Sequence, residues 1–183
     1  MVEKENILVL AYPGTGKTYT ASNFENVMDF EQQFYTYVYD DNIKHLPLEQ
    51  IKNSMTTKRP NPQWPTPFVK DLGEELPKNE IVIATFTPQV YEAVRDANYP
   101  NTKIILAVFD QNNFEELADR FRARGNTEEF VDRRRVDFPV ANEIFDNAEG
   151  VDKIVIRSGK YLADALTEYG LELRPGEGKK NYL

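Results

Sequence analysis

Ala11-Tyr12-Pro13-Gly14-Thr15-Gly16-Lys17-Thr18 fits the phosphate-binding-loop pattern, with alanine where the pattern usually opens on glycine. Upstream, Ile7-Leu8-Val9-Leu10 is a short apolar run suited to a buried parallel strand, and downstream Lys17 to Phe24 can open a helix. Strand, loop and helix therefore come in the required order. Gly14 and Gly16 let the backbone curl so that successive N–H groups point at phosphate oxygens, and the helix N-terminus adds partial positive charge. In this pattern Lys17 reaches the β- and γ-phosphates and the Thr18 hydroxyl ligates Mg²⁺. Pro13, Thr15 and Tyr19 complete the nucleotide-binding stretch.

Working outward, 183 residues are enough for one domain with a real core, and neither an internal repeat nor low complexity is visible. A net charge of −8 argues against a protein that coats nucleic acid, which needs a basic face. There are no cysteines, so disulfides and thiolate metal sites are excluded, and a lone His45 excludes a multi-histidine centre. The apolar stretch at 7–11 is too short for a signal peptide or a membrane span, so a soluble, cytoplasmic protein is expected, with no membrane partner.

A second strand over 26–31 ends in acid. Asp29 and Glu31, two apart, share one side of an extended segment, where they either orient a water of Mg²⁺, hold an acceptor hydroxyl, or stand solvated. Asp29 is the stronger candidate. Phe34 to Tyr39 alternates, placing Tyr35, Tyr37 and Tyr39 together on an extended segment that packs or lines an acceptor pocket. Four prolines between Lys58 and Phe68 predict a stiff loop around Trp64, which pins the loop to the core or caps that pocket with Arg59.

The third strand, Glu80 to Phe86, is followed by Thr87 and Pro88 as helix cap and first residue. An acid conventionally closes this strand in nucleotide hydrolases; Thr85 and Thr87 stand there instead, which weakens any hydrolytic reading. Lys103 to Phe109 forms a fourth strand. Asn113 and Glu116 then make a capping-box-like start for a helix carrying Arg120 and Arg124, four apart on one face. Arginine forks can close over a transferring phosphoryl group, or these residues are a solvated face balanced by nearby acids. Pro139 is expected to break the next helix. Asp152 to Ile156 is the fifth strand; Arg157 and Ser158 at its carboxyl end can flank an adenine, with Ser158 capping the last helix. Leu171 to Leu183 reads as a loose tail.

Five strands alternating with helices predict an α/β fold, a parallel sheet with helices on both faces. At this point the chain resembles the small P-loop kinases of the nucleoside-monophosphate kinase type, in particular the compact nucleotide kinases often carried by bacteriophages. The matching pieces are Ala11 to Thr18, the Asp29 strand end, Asn61-Pro62-Gln63-Trp64-Pro65, and Arg120-Phe121-Arg122-Ala123-Arg124-Gly125 followed by Phe130. The resemblance implies a P-loop NTPase fold with sheet order 2-3-1-4-5, a single domain over 1–170 and a lid or arginine region at about 113–137. It also implies a phosphotransferase dependent on ATP and Mg²⁺, acting on a nucleoside monophosphate or a modified deoxynucleotide. Lys17, Arg120, Arg124 and Asp29 would be catalytic, Thr18 the metal ligand, and Pro13 to Tyr19 with Arg157 the cofactor contacts. Two alternatives stay open: a nucleotide-binding switch with little catalysis, and a kinase of a hydroxymethylated base in DNA, the latter disfavoured by the acidity. The acceptor, the donor base and the oligomeric state are not legible.

Overall fold

The computed structural model describes residues 4–47, 50–51 and 58–176. The apolar run of the opening stretch is a strand, β1 (Asn6–Ala11), followed by the loop and α1 (Lys17–Asn23). β2 (Val27–Asp29), α2 (Gln33–Thr36) and β3 (Tyr37–Tyr39) come next, then β4 (Lys58–Pro60) and α3 (Thr66–Glu75) with a 3₁₀ turn at Leu76–Lys78. The remainder alternates: β5 (Ile81–Thr85), α4 (Pro88–Ala97), β6 (Thr102–Phe109), α5 (Phe114–Ala123), α6 (Glu128–Asn147), β7 (Asp152–Ile156) and α7 (Leu162–Tyr169).

Five strands form one parallel sheet in the order β2-β5-β1-β6-β7, with β1 central between β5 and β6. In chain numbering this is not the 2-3-1-4-5 expected, because two short strands that were not counted, β3 and β4, fall between the second and third sheet strands and pair with each other. By segment, 27–29, 81–85, 6–11, 102–109 and 152–156 lie side by side. Successive strand residues point to opposite faces, yet Leu8, Val9, Leu10 and Ala11 are all fully buried, as are Val82, Ile83 and Ala84. Both faces of the central strands are therefore covered, which is why these segments read as continuous apolar runs and not as alternating ones.

Three local expectations are corrected. The segment 34–39 is not one extended strand: Tyr35 lies on helix α2, its hydroxyl donating to Asp71 at 2.9 Å and its ring against Phe30 and Phe68, while Tyr37 and Tyr39 lie on β3. Pro139 does not break α6, which runs unbroken from Glu128 to Asn147. Its ring is on the exposed side of the helix, where the carbonyl that loses its N–H partner can be satisfied by water. The opposite face packs on the core, with Val131, Phe138, Ala141, Asn142 and Phe145 buried.

The third correction concerns the tail, which is docked as far as the structure describes it. Glu25 donates its N–H to the Arg174 carbonyl at 2.9 Å, Arg174 donates its own to Asn26 Oδ1 at 2.9 Å, and the Arg174 guanidinium forks onto both oxygens of Glu80 at 2.8 and 2.7 Å. Residues 177–183 of the expected tail lie outside the described residues.

The Glu80–Arg174 fork predicts a pH dependence. The Arg174 hydrogen bonds hold the Glu80 carboxyl down to about 2 from an ordinary 4.5. A depressed carboxyl stabilises the fold above its unfolded value and loses that contribution as pH falls from about 4.5 through about 2. Both side chains are more than a third exposed, so solvent screening keeps the gain small. Arg174→Met should thus lower stability slightly in urea titrations at pH 7, with the gap to wild type narrowing as the pH is brought below 4.5. A gap that stays constant with pH would show that the ion pair is not its source.

Candidate phosphate-loop site

The loop between β1 and α1 turns through two residues with positive φ, Gly14 at +80° and Gly16 at +101°, conformations that side-chain-bearing residues rarely adopt. Space imposes the same choice. A Cβ on Gly14 would stand 2.7 Å from the Phe121 ring and 2.9 Å from Leu117, both on α5, and one on Gly16 would meet the Tyr161 ring at 3.2 Å. Thr15 is fully buried and its hydroxyl donates to the Tyr12 carbonyl at 2.7 Å, closing the curl from inside. Leu162, at the start of α7, donates its N–H to the Thr15 carbonyl at 2.8 Å.

Alanine at position 11 is accommodated because it is the last residue of β1 and not part of the turn: its backbone pairs with Thr85 and Ala107 on either side, and its side chain is buried. Tyr12 fills the space below the turn. Its ring meets Phe138 edge-on at 5.3 Å, its hydroxyl donates to the Arg134 carbonyl, and burial pushes the phenol up to about 12. The loop is thus held from beneath by α6, from the side by α5 and from the far end by α7.

What this scaffold presents is the start of α1. Gly16 is its N-cap and has no side chain to satisfy the first-turn N–H groups, which by helix geometry lack carbonyls four residues back. Lys17 and Thr18 are the first two helical residues, Lys17 partly buried and Thr18 exposed, and Tyr19 follows on the exposed side. The Thr18 hydroxyl donates to Asp29 Oδ2 at 3.1 Å. Asp29 reaches it from the carboxyl end of β2, the strand beside β5 at the sheet edge. Two hard oxygen donors are therefore juxtaposed beside the loop, a set that suits Mg²⁺, which takes one or two protein oxygens together with substrate phosphates and waters.

The two acids expected together take different partners. Glu31 lies beyond the strand, where its carboxylate accepts the Gln33 N–H at 3.1 Å at the start of α2, while Asp29 accepts from Thr18. Thr87 at the end of β5 is likewise occupied, its hydroxyl accepting the Val90 N–H at 3.2 Å as the cap of α4. Trp64 is pinned: its indole donates to Gln89 at 2.5 Å and its ring lies 5.2 Å from that of Phe68. Together with Phe30, Tyr35 and the buried Phe68 it forms an aromatic cluster that ties the segment after Asp29 to α3.

The arginines are distributed differently from their spacing. Arg120 is only 11 % exposed: its guanidinium lies 4.1 Å from the Tyr161 ring and 4.8 Å from Phe109, and one nitrogen donates to both Glu116 and the Lys160 carbonyl at 2.7 Å. Arg124, at the C-cap of α5, is exposed and has no carboxylate partner among the described residues. The two therefore do not share a surface. Arg157 is exposed and paired with Glu168 of α7 at 2.7 Å.

Glu116 and Tyr161 are the residues that the sequence reading missed. The capping box expected at Asn113 and Glu116 does not form, since Asn113 makes no side-chain cap. Glu116 instead accepts the Ser158 hydroxyl, the Gly159 N–H at 2.9 Å, Arg120 at 2.7 Å and the Asn113 amide at 3.3 Å. The Ser158 hydroxyl, with Gly159 and Arg120, holds the Glu116 carboxyl below its ordinary range against the cost of desolvation. Ser158 does not cap α7; Tyr161 holds that position, its N–H donating to Asp164 at 2.8 Å. The available signal for Tyr161 was its place after β7, since loops at the carboxyl ends of parallel strands line the sites of such sheets.

No protein-family model matches the chain, and no curated protein does. Among solved structures, a gluconokinase from Sinorhizobium meliloti 1021 is similar to it at 15 % identity, over 91 % of this chain and 89 % of that one, with a TM-score of 0.49. So distant a likeness decides neither activity nor substrate. No helix among the described residues is long and apolar enough to cross a membrane.

Proposed function

We propose that this chain is a phosphotransferase that uses ATP and Mg²⁺ to phosphorylate a small acceptor, a nucleoside monophosphate or a modified deoxynucleotide. The observation that carries this reading is the 3.1 Å bond between Thr18 and Asp29 beside a loop turned by two positive-φ glycines. It supplies, from the end of β2, the carboxylate that the end of β5 lacks. Thr18 and Asp29 would hold Mg²⁺, which when bound offsets the charge on the β- and γ-phosphates. Of the roles open to Asp29, support of the metal is the one that its contact with Thr18 favours.

Lys17 offers its ammonium to the transferring phosphoryl from the first turn of α1, and the first-turn N–H groups receive phosphate oxygens. The strand end that in a hydrolase carries a water-polarising acid holds Thr85 and Thr87, and the latter's hydroxyl is engaged as a helix cap. That favours transfer to a bound nucleophile over hydrolysis. Arg120 is held through one nitrogen by Glu116 and the Lys160 carbonyl while its Nη1 is buried with no hydrogen-bond partner among the described residues, so beside the loop it keeps a donor for the moving charge; Arg124 is exposed and without a carboxylate partner among them. Tyr35 and Trp64, partly exposed over the buried rings of Phe30 and Phe68, are the aromatic side chains that could meet an acceptor with a planar ring.

The test is transfer of label from γ-labelled ATP with Mg²⁺ to a panel of nucleosides, monophosphates, modified deoxynucleotides and DNA. Label on one class of small acceptor is the expected result. Tight ATP binding with no transfer to any member of the panel would contradict a kinase and leave a nucleotide-dependent switch. Transfer to DNA alone would replace the small acceptor by a base in the polymer.

A further inference from the structure

Helix α5 touches the phosphate loop twice over, and only one of the two contacts is ordinary core packing. Leu117 and Phe121 lie directly against Gly14. On the neighbouring face of the same two turns, Glu116 and Arg120 act on the turn that follows β7: Glu116 accepts from Ser158, from the Gly159 N–H and from Arg120, and Arg120 donates to the Lys160 carbonyl while its guanidinium faces the Tyr161 ring at 4.1 Å. The turn so fixed ends in two contacts to the loop. The Tyr161 ring lies where a Cβ on Gly16 would be 3.2 Å away, and the Leu162 N–H donates to the Thr15 carbonyl at 2.8 Å.

We propose that Glu116 is a positioning residue for phosphate binding: through the turn at 158–161 it sets Thr15 and Gly16 in the conformation that receives a phosphate chain. This rests on the phosphate-loop reading above, and it goes beyond that reading in giving a carboxylate that touches no ligand control over affinity for the phosphates. An amide keeps one oxygen for the Gly159 N–H and Arg120 but loses the charge that faces Arg120, and it puts an NH₂ where the second oxygen accepts from Ser158 and from the Asn113 amide, so that end of the cluster must rearrange. The effect on the loop is geometric, so it should be felt by any polyphosphate, whether or not it carries a base.

Glu116→Gln is the test, with binding of ATP and of inorganic tripolyphosphate, each with Mg²⁺, measured by titration calorimetry. Both probes should weaken by the same factor, about tenfold, because a small displacement of a preorganised site costs that order of affinity. kcat at saturating ATP should change far less than KM for ATP. Ser158→Ala, at an exposed hydroxyl that contributes one of the bonds, should weaken both probes by a smaller common factor, about threefold, and it decides the matter if Glu116→Gln does not fold. Unchanged affinity for both probes overturns the proposal. So does loss for ATP alone, which would place the effect on the nucleoside and not on the phosphate loop. A wild-type protein that binds neither probe would overturn the phosphate-loop reading itself, a result distinct from wild-type binding that the variants leave untouched.

Discussion

Lys17→Ala should reduce phosphoryl transfer by at least about 10²–10³ in kcat, the usual cost of removing one preorganised donor aimed at developing charge. Lys17 is the first residue of α1, partly buried, between Gly16 and the Thr18 that meets Asp29. Alanine is at home in a helix, so the backbone of the loop should be kept and the loss should lie in the chemistry. The scaffold of the loop does not depend on the lysine: Thr15 closes onto Tyr12, Leu162 holds Thr15, and α5 packs on Gly14. The measurement is single-turnover transfer of label, with thermal unfolding of the same preparation. Transfer retained in a folded Lys17→Ala protein would remove the loop from the mechanism altogether.

Asp29→Asn should have the second largest effect, about 10–100-fold in activity, with a matching rise in the Mg²⁺ concentration needed for half-maximal rate. Asparagine keeps an oxygen that can accept from the Thr18 hydroxyl, so the 3.1 Å contact survives in form while its charge is lost. A purely structural role for Asp29 would leave the Mg²⁺ dependence where it was. A titration of initial rate against Mg²⁺ for both proteins separates the two, and an unshifted curve would count against the pairing of Thr18 and Asp29 as the metal-holding group.

The parts of this molecule written in local pattern were legible and the parts made by packing were not. β1, the loop and α1 follow from an apolar run, two glycines and a Lys-Thr pair, because strand burial and positive φ leave their mark on composition. Thr87 and Pro88 open α4 as their types demand. Arg120 and Arg124 were read as one face from a spacing of four, yet α5 ends at Ala123, which leaves Arg124 at the C-cap while Arg120 folds back onto Tyr161 and Phe109. Pro139 has no helix-breaking signature once it falls on the exposed side of a helix whose other face is buried.

Glu116 shows the limit most clearly. Its position three residues after Asn113 is a local capping pattern, and the local pattern loses to three donors brought in from 42 to 43 residues away and from the next turn of its own helix. Nothing in the spacing of a single element can report a contact of that kind. Asp29 was found because a strand's carboxyl end is a fixed place in a parallel sheet, but its partner Thr18 became visible only when β2 was placed beside β5.

The most direct measurement of the central claim is a crystal structure of the protein with a non-hydrolysable ATP analogue and Mn²⁺, located by its anomalous signal. Thr18 and Asp29 should be found at the metal, Thr18 as a ligand and Asp29 as a ligand or one water away, with the analogue's phosphates along residues 13–18. Phosphates bound elsewhere, or Mn²⁺ held by residues that include neither Thr18 nor Asp29, would contradict it.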